Sequence, residues 1–318
     1  MHNILSVVAE NERYYTLTLD EVIALDAWLK NSYQIDFFHP SSAHVNYAGA
    51  SAIEKERVAE LEKEIGKLER KNKSITPQIA LELTDIFSGE HWRGEWHSRR
   101  RAWTLDSITV ASAIVKQLVK SNKTIQILDV GCNVGFLPTY LATQYNVEVS
   151  AIDASKKAID AAQTLDLKEM VSFVQADIEH YKTRKKWDLV TAIDLVQPTE
   201  SNFSQIIEKV ANLVKSNGHL LLVGNFVEYD IATLLRQYGF SCLNAQLTGG
   251  YQPGHRYDGD IDWDTKAAFH FQKTSGIDQF SGNLSDLMSD FADYANYQAD
   301  ERREVNRSYF TAKQLADI

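Results

Sequence analysis

The sequence predicts an α/β fold: a seven-stranded, mostly parallel sheet with helices on both faces and helical additions at both ends. Three observations carry this expectation. Between residues 104 and 273, short apolar runs alternate with stretches of helical periodicity, and parallel strands need such crossovers. The first run, 125–130, leads through a glycine-bearing turn into a helical pattern. Acids stand at three successive strand ends, at Asp129, Asp153 and Asp177.

The chain divides into a helical N-terminal region (1–80), a main domain with its N-terminal lid (81–273) and a C-terminal helical extension (274–318). In the first region, Thr18-Leu19-Asp20-Glu21 opens a helix with Val22, Leu25 and Leu29 on one face. Next, Val58, Leu61, Ile65 and Leu68 alternate spacings of three and four; Asn72 and Ile75 continue the register, and Pro77 is expected to end it. Fewer than three full heptads favour an amphipathic helix packed on its own domain. The alternative is a short dimerising coiled coil, a homodimer contact through 53–75.

In the main domain, strands are expected at 125–130, 147–152, 171–174, 189–193, 220–223, 240–247 and 267–273. Helices fall near 104–120, 135–145, 155–166, 202–215 and 228–238. The sixth strand is expected to run parallel to the first five. In the last region, Leu284, Leu287, Met288, Phe291, Tyr294 and Ala295 follow helical spacing. They suggest a docked helix or a second homodimer contact, through 284–298, and Glu301 to Glu304 read as a solvated charge cluster.

Composition narrows the function classes. The net charge of −10 disfavours non-specific nucleic-acid binding, although a local basic patch would still serve. The two cysteines cannot build a disulfide framework, and a reducing, cytoplasmic setting fits them. No apolar run approaches the roughly 18–20 residues of a membrane span, so membrane insertion is not expected. The N-terminal residues lack the pattern of a signal peptide.

The strongest chemical signal is Ile127-Leu128-Asp129-Val130-Gly131-Cys132-Asn133-Val134-Gly135-Phe136. In an open parallel sheet, ligands bind beyond the carboxyl ends of the strands, and glycine lets the backbone approach them. Asp153 ends the second strand, where a carboxylate can accept both hydroxyls of a ribose, and Ser155 is a good N-cap for the next helix. Asp177 ends the third strand, where a carboxylate can accept from an adenine amino group. Each acid alone would be an ordinary cap or turn residue. The ordered set points to an adenosine-type ligand.

On these residues the region 104–273 resembles the class I S-adenosylmethionine-dependent methyltransferases. The resemblance implies that Asp129, Gly131, Asn133 and Gly135 hold the methionine part of S-adenosyl-L-methionine. It also implies that Asp153 and Ala154 hold the ribose and Asp177 and Ile178 the adenine. Asn133 stands where many members have a glycine, and asparagine tolerates left-handed backbone angles. A nicotinamide-type fingerprint lacks its final glycine, and no phosphate loop is present.

The resemblance implies O- or N-methylation of a small molecule or of a glycan or natural-product precursor. An RNA methyltransferase and a non-catalytic scaffold of the same fold are the alternatives. The segment 92–103 holds three tryptophans and four arginines. Trp92, Arg93, Trp96 and Arg99 are candidate substrate residues, with a lid that only packs its aromatics as the bland reading. Stacking and phosphate contacts would serve RNA.

After the fourth strand, Ile193 to Glu200 does not match the Asn/Asp-Pro-Pro-Tyr/Phe motif of base and glutamine-amide methyltransferases. In this family that segment borders the methyl-transfer position. Asp194 there is a candidate cofactor contact or catalytic residue, with a turn cap as its ordinary role.

The loop 248–264 is expected at the cofactor face and carries Tyr251, His255 and Arg256. Asp258, Asp260 and Asp262 resemble a calcium loop, but Trp263 takes the glycine position, so no metal site is assigned and Mg²⁺ stays the lesser alternative. A hydroxyl acceptor needs a base, and histidine suits that task near neutrality. His219 and His270 fall within strands, and His180 follows the adenine turn. His255 is therefore the candidate base, with Asp194 next.

Overall fold

A computed structural model describes residues 21, 24–25, 27–28, 31–32, 52–71, 76–87, 101–120, 124–166, 169–195, 202–224, 231–248 and 266–274. The helices are α1 (Ala52–Glu69), α2 (Pro77–Phe87), α3 (Arg101–Val119), α4 (Phe136–Gln144), α5 (Lys156–Leu165), α6 (Phe203–Asn212) and α7 (Ile231–Arg236). The strands are β1 (Ile125–Val130), β2 (Val147–Asp153), β3 (Val171–Gln175), β4 (Trp187–Ile193), β5 (Val214–Gly224), β6 (Phe240–Thr248) and β7 (Lys266–Lys273).

All seven strands join one sheet in the order β3-β2-β1-β4-β5-β7-β6. β1 to β5 pair in parallel, and β7 runs antiparallel to both β5 and β6. The sixth strand therefore points the same way as the first five, as its sequence position suggested. The chain winds outward from β1 to β3, then crosses to β4 on the other side. That reversal opens a crevice at the carboxyl ends of β1 and β4.

The apolar runs form central strands because both faces of the sheet are covered. Ile127, Leu189, Leu221 and Val223 point into one core with Ile108, Ile114, Leu141 and Ile159 of the helices. Leu128, Val190, Leu220 and Leu222 point into the other, with Ile206, Val210, Ile231 and Leu235. The helical residues near position 25 join the first core. Leu25 is fully buried, and Trp28 meets Tyr140 edge-on at 5.1 Å between ring centroids. Burying such a leucine contributes about 1.5–3 kcal/mol.

The structure corrects two boundaries. α1 stops at Glu69, and Pro77 begins a helix rather than ending one; Asn72 and Ile75 lie outside the described residues. Thr76 caps α2 by accepting from the Ile79 amide at 3.3 Å, and proline needs no amide partner at the first helical position. Within α1, Val58 and Leu61 are buried by this chain itself, while Ile53 is exposed. At the other site, the helix expected over 202–215 ends at Asn212, because Trp187 pairs with Val214 and draws it into β5. Pairing resumes at His219, and residues 215–218 bulge out through a left-handed Asn217. Among the described residues, no helix is long and apolar enough to cross a membrane. The residues 274–318, apart from 274, lie outside the described residues.

Candidate functional site

The turn after β1 folds through three left-handed residues at alternate positions. Gly131 and Gly135 have φ of 77° and Asn133 has φ of 50°. The amides of Gly131 and Cys132 both donate to the Ile152 carbonyl, at 2.8 and 3.0 Å, so the turn leans across the end of β2. Asn133 steadies its own conformation by accepting from the Val134 amide at 2.7 Å, the local bonding that lets asparagine occupy this region.

Sequence reasoning expected the glycines to admit a ligand. In the structure the space each leaves is taken by the protein's own side chains. A Cβ on Gly131 would lie 2.8 Å from Leu195 Cδ1, and one on Gly135 would lie 2.7 Å from the Phe173 ring and 2.9 Å from Ala162 Cβ.

Asp153 fastens this turn. Its Oδ2 accepts from the Asn133 amide and its Oδ1 from the Ser155 amide, each at 2.8 Å. Burial pushes the carboxyl above its ordinary range, the two amides pull it back, and the charge of Asp85 adds to the rise. Ser155 caps α5 as its position suggested, accepting from the Ala158 amide at 3.0 Å. The next residue back, Ala154, is exposed, and its carbonyl accepts from Gln175 Nε2 at 3.3 Å.

Asp129 lies deeper, 3% exposed, and accepts from Thr191 Oγ1 at 2.6 Å across the β1–β4 register. Burial, reinforced by the Asp153 charge, pushes its carboxyl up to about 7. The Cys132 thiol is pushed well up by burial and by both acids, so it is not a thiolate at neutral pH.

Asp177 follows β3. Its exposed carboxylate accepts from the Glu179 amide at 2.9 Å and meets His180 Nδ1 at 3.0 Å. Ile178 is buried in the core beside Ile152. The Ala176 amide donates to the Asp153 carbonyl at 2.8 Å, which ties the exit of β3 to that of β2. Asp194 ends β4 with φ of 53°, its amide donating to the Val223 carbonyl at 2.7 Å.

The fold thus gathers Asp129, Gly131, Asn133, Gly135, Asp153, Ala154 and Asp194 at the carboxyl ends of β1, β2 and β4, with Asp177 and Ile178 one strand further out. Trp92, Arg93, Trp96, Arg99, Tyr251, His255 and Arg256 lie outside the described residues. His219 and His270 are sheet residues, paired Nδ1 to Nε2 at 2.9 Å.

Two contributors escaped the sequence argument. Thr191 was hidden inside an apolar run, although a lone hydroxyl in a buried strand is itself a signal that it has a partner. Asp85 comes from α2 and accepts from Ser155 Oγ, a contact 70 residues apart in sequence.

The residues present fit S-adenosylmethionine. Two buried carboxylates are raised by burial and by neighbouring acids, and among the described residues no lysine or arginine pairs with either. A ligand bearing a sulfonium and an ammonium would supply a positive charge there. Each Asp153 oxygen has accepted one amide and keeps further lone-pair capacity for a diol.

Residues 127–218 match a family model described as a methyltransferase domain. A ubiquinone biosynthesis O-methyltransferase of Rickettsia typhi is 31% identical over 138 residues, which cover 42% of this chain and 52% of that protein. The Rickettsia canadensis protein of the same name is 36% identical over 97 residues, covering 30% and 40%. The chain therefore spans about half the length of the curated relatives it matches. Among solved structures, a magnesium protoporphyrin IX methyltransferase from Synechocystis PCC 6803 shares 19% identity. The match covers 60% of this chain and 95% of that one with a TM-score of 0.47.

Proposed function

For a chain whose residues 127–218 match a methyltransferase-domain family, we propose transfer of a methyl group from S-adenosylmethionine to a small molecule. A hydroxyl is the favoured acceptor, in keeping with the O-methyltransferase names of the curated relatives. One observation carries the reading. A left-handed turn, fastened by buried Asp153, lies over a second buried acid with no basic partner among the described residues.

The residues divide the work. Asp153 and Ala154 hold the ribose, and Asp177 and Ile178 border the adenine. Gly131, Asn133 and Gly135 supply the backbone surface for the methionine part, with Asp129 beneath them. When bound, the cofactor supplies an electrophilic methyl on a sulfonium. This chain's own tasks are to place the acceptor in line, exclude water and take the acceptor's proton. His255 is the candidate base and Asp194 the next. Trp92, Arg93, Trp96, Arg99, Tyr251 and Arg256 are the candidate acceptor contacts. A cytoplasmic setting belongs to the same reading, with a homodimer through 53–75 or 284–298 as the alternative to helices packed on their own chain.

The test is formation of S-adenosylhomocysteine from S-adenosylmethionine with panels of phenols, amines, glycan precursors and total RNA. Turnover with a phenolic or other hydroxyl acceptor is expected. Asp153→Ala should weaken cofactor affinity by about 2 kcal/mol, roughly 30-fold, as a charged hydrogen-bond partner is lost. Turnover on RNA alone would move the acceptor class. Cofactor binding without turnover on any acceptor would make the protein a scaffold. Unchanged affinity in a folded Asp153→Ala protein would refute the ribose assignment.

A further inference from the structure

Helix α2 reaches the candidate site from outside the segment that matches the methyltransferase family. Near its end, Asp85 accepts a hydrogen bond from Ser155 Oγ. That same serine oxygen accepts from the Ala158 amide at 3.0 Å, and the serine's own amide donates to Asp153 Oδ1 at 2.8 Å. Ser155 is thus the meeting point of α2, the first turn of α5 and the acid that fastens the glycine turn. A carboxylate beside the first turn of a helix is also favoured by the helix dipole.

One turn earlier, Glu82 anchors the helix. Arg57 of α1 grips it with a fork, Nε to Oε1 and Nη2 to Oε2, the latter at 2.8 Å. Residues three apart share one side of a helix, so the fork and the Ser155 contact restrain the same face of α2. Such a bidentate pair fixes orientation as well as distance. Helix α2 is therefore held at two points, to α1 by the fork and to Ser155 by Asp85, and the second is one hydrogen-bonded residue away from Asp153.

We propose that Asp85 is a positioning residue of the cofactor site, coupling the docking of the α1–α2 hairpin to the setting of Asp153. The inference rests on the methyltransferase reading and deepens it: the N-terminal hairpin is part of the cofactor-binding unit. Linkage makes the coupling reciprocal, so a ligand that tightens Asp153 also tightens α2. The charge of Asp85 also reaches Asp153 through space and raises its carboxyl, so the positioning acts through the Ser155 bonds and not through this repulsion.

The test uses the full chain, S-adenosylhomocysteine calorimetry and amide hydrogen exchange. Asp85→Ala should weaken S-adenosylhomocysteine about tenfold. Asp85→Asn, which keeps an acceptor for Ser155, should stay within about threefold. Glu82→Arg, away from Asp153, should weaken it several-fold, and adding Arg57→Glu should restore it by reversing the pair. Exchange in 77–87 should slow on ligand binding in the unsubstituted protein and not in Asp85→Ala.

If Asp85→Ala fails to fold, the Glu82→Arg and Arg57→Glu set decides alone. Unchanged affinity in Asp85→Ala, or in Glu82→Arg while exchange in 77–87 speeds up, overturns the coupling and leaves the cofactor reading intact. Failure of the unsubstituted protein to bind S-adenosylhomocysteine overturns both.

Discussion

Replacing Gly135 by alanine should destabilise the protein more than the same change at Gly131. Both glycines have φ of 77°, so alanine at either pays the left-handed penalty of about 1–2 kcal/mol. The difference lies in what the new methyl meets. At Gly131 it meets Leu195 Cδ1 at 2.8 Å, the far end of a flexible, half-buried side chain that can rotate away. At Gly135 it meets two ring atoms of buried Phe173 at 2.7 Å and Ala162 Cβ at 2.9 Å. Neither neighbour can yield without moving β3 or α5, which adds an overpacking cost of about 1–3 kcal/mol.

Gly135→Ala should therefore cost about 2–5 kcal/mol, and Gly131→Ala about 1–2. Urea unfolding midpoints at constant slope measure both. A double-mutant cycle with Phe173→Leu separates the two components, because only the clash couples to Phe173. Favourable coupling of about 0.5–3 kcal/mol is expected, with the left-handed penalty and the Ala162 contact left over. Equal costs at the two glycines, or no coupling to Phe173, would refute this account of the turn.

Two further predictions concern pH and have opposite signs. Asp129 ionises at about 7 when folded and near 3.8 when unfolded, so between those values the folded state holds the extra proton. Stability falls as pH rises through that window, and Asp129→Asn, which still accepts from Thr191, should gain on the unsubstituted protein as pH climbs from 4 to 7. His219 and His270 are held neutral by burial, down to about 4 and about 3. There the unfolded state takes protons first, so stability falls as pH drops below 6.5. The loss reaches about 2 kcal/mol per histidine by pH 5, at 1.36 kcal/mol per pH unit. His270→Phe should flatten the acid limb of a stability–pH curve, and an unchanged limb would show that the pair is not buried neutral.

The sheet was legible because its strands centre on short apolar runs and its turns carry Gly131, Gly135, Asp153 and Asp177 at their ends. The errors arose where one residue type serves two structures. Pro77 can follow a helix or begin one, and only the Thr76 cap and the packing of α2 decide. Leu213 and Val214 continue the apolar face of α6, and only the pairing of Trp187 with Val214 shows that a strand has begun. The acids were legible as a set, while their depth was not. Asp129 and Asp177 look alike in sequence, yet one lies buried beneath the turn and the other is exposed and occupied by its own turn. Asp85 left no local trace, because its meaning depends on Ser155, and that contact is tertiary.

The way the site balances charge explains why its acids are held by amides. Pairing Asp153 with a lysine would relieve its burial more fully than two backbone donors do, and would also cancel the negative field at the strand ends. Instead, Asp153 receives the amides of Asn133 and Ser155, which orient the carboxylate without adding a formal positive charge. Asp129 receives one hydroxyl from Thr191 and stays raised to about 7. On the proposed function, the field that destabilises the ligand-free protein is the field that would favour the cofactor's cation. The same bonds make the surface rigid, since the turn after β1 is closed by Asp153 from β2, Phe173 from β3 and Leu195 beyond β4. On the proposed function, a surface assembled from four strand exits would need little reordering when the cofactor binds, leaving more of the binding energy for positioning the acceptor.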